Sequence, residues 1–201
     1  LLKSSDGRTL RWRVFSNVWG DEMLPIAEAL KATGHRQVTY IGTAGALPGS
    51  GLGVGDLVVP SSVIDVTGKS RPLTRGSKAI PAIAKTGGTV TQVTTPYEET
   101  ESWLRRESSR AQVVELETGY LARVFNGRED RCRTFLLVSD VVGSAEETLA
   151  EADSGRRRQA QKAVLSQLLS DDRIVAPIDR SVMDAASSKA KILAIVRKLA
   201  P

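Results

Sequence analysis

Aromatic residues and cysteine are scarce in this 201-residue chain. Aromatics make up only 4% of the residues, so aliphatic side chains must supply most of the core that a 41% hydrophobic content allows. The single cysteine, Cys132, excludes an internal disulfide framework and suits a reducing compartment, which predicts a cytoplasmic protein. The sequence has no run of about 18 apolar residues, so we expect no transmembrane helix and no membrane partner.

The chain carries a formal net charge of +5, which raises the question of nucleic-acid binding. Its basic residues are dispersed, except for the triplet Arg156-Arg157-Arg158 at a predicted helix start. No aromatic side chain lies near the triplet to stack on a base, so a solvated basic face is the favoured interpretation. Nucleic acid is not an expected partner, and salt-sensitive binding through the residues after Ser170 is the alternative.

Strand and helix patterns alternate along the chain. The predicted strands are Thr9–Asn17, Gln37–Ile41, Leu57–Val66, Thr89–Thr94, Ala111–Val114 and Thr134–Ser139. The predicted helices are Asp21 to Gly34, Glu98–Glu107, Glu117–Phe125 and Gln159–Leu169. This order predicts an α/β domain over residues 1–170, with a mixed or parallel sheet covered on both faces. Residues 171–201 form a basic helical tail or linker by the same criteria.

The first chemical motif is the predicted small-residue turn Gly42-Thr43-Ala44-Gly45, directly after the predicted strand Gln37–Ile41. Small residues after a strand leave backbone N–H groups and one hydroxyl free at the carboxyl edge of a sheet, where α/β proteins hold ligands. An ordinary tight turn is the alternative. A dinucleotide-binding loop fits poorly, because the glycines that follow lack the required spacing and precede a strand.

The second motif is Glu115-Leu116-Glu117, which follows the apolar strand Ala111–Val114. Two carboxylates at the end of a buried strand are costly unless they meet partners or water. Glu117 at a helix N-terminus is favoured in its ionised form, and an ionised carboxylate can accept two hydrogen bonds from a vicinal diol such as that of ribose. Helix capping by the two glutamates is the alternative.

The third motif is Ser139-Asp140, at the end of the predicted strand Thr134–Ser139. A desolvated aspartate at this place can donate a proton near neutral pH, whereas the alternative is that Asp140 caps the following turn. Three strand ends that carry small or acidic residues together predict one ligand site.

In this order, the motifs resemble those of the purine nucleoside phosphorylase/nucleosidase superfamily, and most closely its 5′-methylthioadenosine/S-adenosylhomocysteine nucleosidase branch. The matching stretches are Tyr40 to Leu47, Val54 to Pro60, Val113 to Glu117 and Leu137 to Asp140. The resemblance covers roughly Arg11 to Leu169. It implies a three-layer αβα sandwich with a central mixed β-sheet, a purine nucleoside ligand and a homo-oligomer. We expect no cofactor or metal, because the sequence has no cluster of His, Cys and Asp ligands.

The resemblance also implies roles for individual residues. Glu117 corresponds to the glutamate that binds the ribose hydroxyls, and Asp140 to the general acid at purine N7. The expected substrate-binding residues are Thr43, Ala44 and Gly45 on the anion or base side, Tyr97 near the base, Leu116 against the sugar, Glu115, and Ser139, which orients Asp140.

Two departures from the family pattern bear on the reaction. Tyr40 stands where phosphorolytic members carry a phosphate-binding arginine, which favours water over phosphate as the nucleophile. The glutamine and arginine of pyrimidine-specific relatives are missing after Tyr97, and Asp140 favours a purine. We therefore predict a purine nucleosidase, with a phosphate-dependent phosphorylase as the alternative.

No equivalent of the family's opening strand precedes Thr9, and the chain begins at Leu1. Three interpretations stay open. The chain is truncated, another segment supplies that piece, or the domain senses nucleosides or acts as a scaffold without catalysis.

Overall fold

The computed structural model describes residues 18–74, 84–128 and 130–144, and two short strands near the start. The chain divides into a larger unit, Val18–Leu168, and a smaller one of Leu1–Asn17 and Leu169–Pro201. In the smaller unit, β1 (Leu2–Lys3) pairs antiparallel with β2 (Thr9–Leu10). The predicted helix Gln159–Leu169, the tail 171–201 and most of the predicted strand Thr9–Asn17 lie outside the described residues.

The larger unit contains a mixed sheet and three α-helices in its described part. Its strands are β3 (Gln37–Ala46), β4 (Leu57–Val59), β5 (Ser62–Ile64), β6 (Ser70–Pro72), β7 (Lys85–Thr86), β8 (Thr89–Gln92), β9 (Val113–Glu115) and β10 (Arg131–Val141). Its helices are α1 (Met23–Ala32), α2 (Glu101–Glu107) and α3 (Thr118–Val124). None of the helices in residues 18–74, 84–128 and 130–144 is both long and apolar enough to cross a membrane.

The eight strands lie in the order β6-β5-β8-β9-β3-β10-β4-β7. The central pair is β3 and β10, which run parallel over their whole length, from Arg131 opposite Gln37 to Val141 opposite Ala46. On its other side β3 meets β9 in antiparallel orientation. The predicted mixed sheet is therefore confirmed.

Apolar side chains cover both faces of this sheet, as the period-two alternation of strands requires. On one face, strand residues such as Val90, Val113 and Leu136 belong to a cluster that includes residues of α1 and α3. On the other face, Val114 packs in a second cluster with Trp103 of α2. The helices thus lie on opposite sides of the sheet, and the three-layer sandwich is confirmed.

Two details of the strand prediction are wrong. Gly42 to Gly45 do not form a turn, because β10 pairs with β3 at each of these positions and holds the small residues in extended backbone. The predicted strand Leu57–Val66 is interrupted at Pro60 and Ser61, since a proline has no N–H for a sheet ladder. As a result β4 pairs with β10 and β7, whereas β5 pairs with β6 and β8.

Candidate active site

The three sequence motifs lie on three adjacent strands, β9, β3 and β10. Because β3 and β10 are parallel, Asp140 lies beside Gly45 in the sheet register. Because β9 is antiparallel to β3, with Val114 opposite Gly45, the chain after β9 runs back toward the start of β3. The structure therefore brings Asp140 to the end of β3 and Glu117 to the level of Tyr40 and Gly42.

A β-bulge in β10 sets the position of Asp140. Val138 pairs with Ala44 and Asp140 pairs with Gly45, which leaves Ser139 as an extra residue in β10. The Ser139 Oγ lies 2.6 Å from Asp140 Oδ1 and 3.2 Å from the Ala44 carbonyl oxygen, and its one proton serves either acceptor. The bulge therefore places a hydroxyl donor directly on the half-buried Asp140 carboxylate.

Gly45 supplies the space that Asp140 occupies. A Cβ at position 45 would lie 3.4 Å from Asp140 Oδ2 and only 2.6 Å from a methyl group of Val142. A larger residue would therefore push β10 and its carboxylate away from β3. This close approach explains the last glycine of the small-residue motif.

The Glu117 carboxylate is buried, with 6% of the residue exposed, and both of its oxygens are hydrogen-bonded. The Gly20 amide donates to Oε1 at 2.7 Å, and the Tyr40 hydroxyl donates to Oε2 at 2.8 Å. Gly20 adopts a φ of +52°, which favours glycine. Sequence reasoning missed these two partners, because they lie 97 and 77 residues from Glu117 and no local pattern indicates the contacts.

Glu115 is 2% exposed, and its carboxylate points at the start of α3. Its oxygens accept hydrogen bonds from two backbone amides, that of Glu117 at 2.8 Å and that of Thr118 at 2.9 and 3.0 Å. Burial, reinforced by the negative charge of Glu117, raises the pKa of Glu115 to about 8 against the opposing effect of these amides. Glu115 thus caps the start of α3 and holds the backbone of Glu117, the residue directly before this helix.

The remaining predicted site residues differ in exposure. Leu116 is half-buried, and its carbonyl accepts the Gln92 side-chain amide at 2.6 Å. Ala44 is 3% exposed, and its methyl group belongs to the core. The side chain of Thr43 is exposed, and Tyr97 is 94% exposed on the 3₁₀ turn Pro96–Glu98. Both therefore remain available to a ligand.

Glu99 is a second carboxylate near Asp140 that sequence reasoning missed. It follows the 3₁₀ turn and is half-buried. Burial, and then the negative charges of Asp140 and Glu98, raise its pKa to about 7. The only sequence signal was the pair of acidic residues after Tyr97, which resembles an ordinary polar loop.

Glu117 and Asp140 lie at different levels along β3. The Tyr40 ring leans over Gly42, where a Cβ would come within 2.5 Å of the ring carbon that bears the hydroxyl. Gly42 and Gly45 are three residues apart, which is roughly 10 Å along a strand. The ladder between β9 and β3 includes only Gly45 and Ala46, so the segment that carries Glu117 contacts the earlier part of β3 through the Tyr40 side chain.

The described residues contain no group of three His, Cys, Asp or Glu side chains placed to hold a metal ion. A cavity of about 230 Å³ lies elsewhere, between β6 and the loop after α3, and includes none of the predicted site residues. The described part of the candidate site offers carboxylates, hydroxyls and backbone groups.

Several solved structures share this fold. A 5′-methylthioadenosine/S-adenosylhomocysteine nucleosidase from Helicobacter pylori is 17% identical, with a TM-score of 0.60 over 77% of this chain and 77% of that chain. The 5′-methylthioadenosine nucleosidase of Arabidopsis thaliana is 14% identical, with a TM-score of 0.58 over 81% and 71%. The P. knowlesi homologue of P. falciparum PNP is 12% identical, with a TM-score of 0.55 over 76% and 70%.

Comparison with sequences gives a match to a family but not to an individual protein. No curated protein sequence matches the chain significantly. A sequence model of the Phosphorylase superfamily matches residues 21–171, a range that includes all three motifs and every predicted site residue. This chain belongs to the Phosphorylase superfamily.

Proposed function

We propose that this protein is a purine nucleosidase, which hydrolyses the N-glycosidic bond of a nucleoside such as methylthioadenosine or adenosine. The observation that carries the proposal is the placement of two differently equipped carboxylates beside β3. Asp140 is half-exposed with a serine hydroxyl on it, and Glu117 lies roughly 10 Å away along the strand with fixed donors. In this proposal a nucleoside bound beside β3 presents its base to Asp140 and its sugar to Glu117.

Glu117 binds the sugar in this proposal. An ionised carboxylate accepts about four hydrogen bonds, and Gly20 and Tyr40 together use two of these positions. The remaining lone pairs match the 2′ and 3′ hydroxyls of ribose. Leu116 packs against the sugar, and Glu115 supports the site by holding the start of α3.

Asp140 is the general acid at the base. As the C1′–N9 bond breaks, its electron pair moves into the purine, and Asp140 donates a proton to N7. A water oxygen bonds to C1′ and releases a proton, which restores Asp140, so the sum is nucleoside plus water giving ribose and free base. Ser139 orients Asp140, while Thr43, Ala44 and Gly45 line the base side and the exposed Tyr97 packs on the base.

Water is the proposed nucleophile because β3 offers no cation to a phosphate. Tyr40 stands where phosphorolytic members have arginine, and its hydroxyl is engaged by Glu117. A neutral hydroxyl that already donates its proton stabilises a phosphate dianion far less than a guanidinium does.

The test is purine release from methylthioadenosine and adenosine, followed by chromatography in phosphate-free buffer and again with phosphate. We expect free base and free sugar without phosphate. Release that requires phosphate and yields ribose 1-phosphate would establish phosphorolysis instead. If neither this chain nor a version extended upstream releases base, the protein is not an enzyme of this class.

A further inference from the structure

The contact between Tyr40 and Glu117 depends on two features of the fold. The segment after β9 runs back along β3, which brings Glu117 opposite Tyr40. Gly42 then leaves room for the Tyr40 ring, because a Cβ there would lie 2.5 Å from the ring carbon bearing the hydroxyl. The hydroxyl thereby reaches Glu117 Oε2 at 2.8 Å. A tyrosine and a glycine two residues apart on one strand thus act together on a buried carboxylate.

Tyr40 is a permanent donor in this contact. Burial, together with the negative charges of Glu115 and Glu117, raises the pKa of Tyr40 far above its ordinary value, so its hydroxyl stays protonated at any physiological pH. The Gly20 amide, which donates to Glu117 Oε1, is likewise always a donor. One fixed donor on each oxygen sets the plane of the Glu117 carboxylate and leaves acceptor positions on both oxygens.

We propose that Tyr40 is a positioning residue that sets selectivity for ribonucleosides over 2′-deoxyribonucleosides, by holding the Glu117 carboxylate so that each oxygen faces one sugar hydroxyl. This inference rests on the proposed function. A carboxylate fixed in this way gains two hydrogen bonds from a vicinal diol, whereas a 2′-deoxy sugar leaves one acceptor of the buried Glu117 carboxylate unpaired. Sites built to pair with a hydroxyl reject analogues that lack it for this reason.

Tyr40→Phe removes the donor and keeps the ring over Gly42. The carboxylate can then turn, and Oε2 has a vacant acceptor position with either sugar, so the advantage of the 2′ hydroxyl shrinks. Gly42→Ala should act in the same direction while keeping the tyrosine, because the added methyl group displaces the ring. Tyr120→Phe is the matched control, since Tyr120 is a buried tyrosine of α3 that packs in the core.

The experiment measures kcat/KM for adenosine and 2′-deoxyadenosine with the wild-type chain and these variants. We expect the wild type to prefer adenosine, Tyr40→Phe and Gly42→Ala to reduce that preference about tenfold, and Tyr120→Phe to keep it. The loss should appear mainly as a higher KM for adenosine, whereas a merely structural role would lower kcat/KM equally for both substrates.

Two results separate this inference from the proposed function. If the wild type cleaves adenosine and Tyr40→Phe keeps its preference, the inference is overturned and the nucleosidase stands. If neither the wild type nor a version extended upstream cleaves adenosine or methylthioadenosine, both are overturned. A wild type that cleaves both nucleosides equally well also overturns the inference.

Discussion

Two carboxylate regions flank β3, and they differ in how much of their hydrogen-bonding capacity the protein itself uses. On the β9 side, Glu117 is buried, with an amide on one oxygen and a phenol on the other, and Glu115 beneath it accepts backbone amides. On the β10 side, Asp140 is half-exposed with one serine hydroxyl, and Glu99 is a second carboxyl group nearby, whose pKa is raised to about 7.

This difference matches the two roles proposed for the carboxylates. A carboxylate with fixed donors is an oriented acceptor, which suits the sugar-binding role proposed for Glu117. A half-exposed carboxylate with a single serine donor is less constrained, which suits the acid role proposed for Asp140. The two carboxylates differ because β9, which leads to the buried Glu117, is antiparallel to β3, whereas β10, which carries Asp140, is parallel to β3 and has a bulge.

Among the variants that test this comparison, Asp140→Asn has the largest expected effect on catalysis. Asparagine keeps the shape and can still accept the Ser139 hydrogen bond, but it has no proton to give to the purine. We expect kcat for purine release to fall at least about 100-fold with little change in folding, measured by chromatography of the released base.

The control for this variant is Asp56→Asn, which makes the same chemical change at a residue paired with Lys85 and the Gly53 amide. It should retain wild-type turnover. If Asp140→Asn retains turnover within a few-fold of the wild type, Asp140 is not the acid and the β10 side loses its proposed role.

The sequence predicted the mixed sheet and helices α1 and α3, because these depend on apolar periodicity and glycine stops that local residues carry. Gly34, for example, ends the first helical pattern and has a φ of +85°. It also placed Gly45 and Asp140 in one predicted site, since both follow apolar strands. The direction of β9 and the bulge at Ser139 could not be predicted, because strand direction and register depend on pairing partners far along the chain.

The partners of the carboxylates were missed for a related reason. In the sequence, Gly20 looks like an ordinary turn residue. Tyr40 looks like a strand residue that stands where phosphorolytic members have an arginine. Their contacts with Glu117 come from tertiary packing, which a single sequence does not encode locally. Glu99 was missed because its raised pKa depends on burial and on Asp140, which is 41 residues away.

Glu115→Gln tests whether the β9 side is structural. The folded-state pKa of about 8 exceeds the ordinary value of 4.5, so between these values the folded protein binds more protons than the unfolded chain. Stability from this group is therefore fully present below pH 4.5 and is lost as pH rises toward 8, with a slope of at most about 1.4 kcal/mol per pH unit. Glutamine cannot ionise, so we expect the free energy of unfolding of Glu115→Gln, measured in urea at pH 5, 6, 7 and 8, to depend less on pH than that of the wild type.

Glu28→Gln serves as the control, because Glu28 is exposed on α1. It should keep the wild-type slope of unfolding free energy against pH. A Glu115→Gln protein with that same slope would show that Glu115 is ionised in the folded protein across this range, and the contrast between the two regions would weaken.

Glu99→Gln makes the smallest expected change, on the β10 side. Burial and the charge of Asp140 raise the Glu99 pKa to about 7, so Glu99 gains a negative charge beside Asp140 as the pH rises through that value. This added charge opposes the negative charge that develops on the leaving base, so we expect kcat/KM to decline above about pH 7 in the wild type. Glutamine cannot ionise, so Glu99→Gln should remove this decline. Glu101→Gln, an exposed neighbour paired with Arg105, should leave the profile unchanged. A Glu99→Gln profile identical to the wild type would show that ionisation of Glu99 does not affect catalysis.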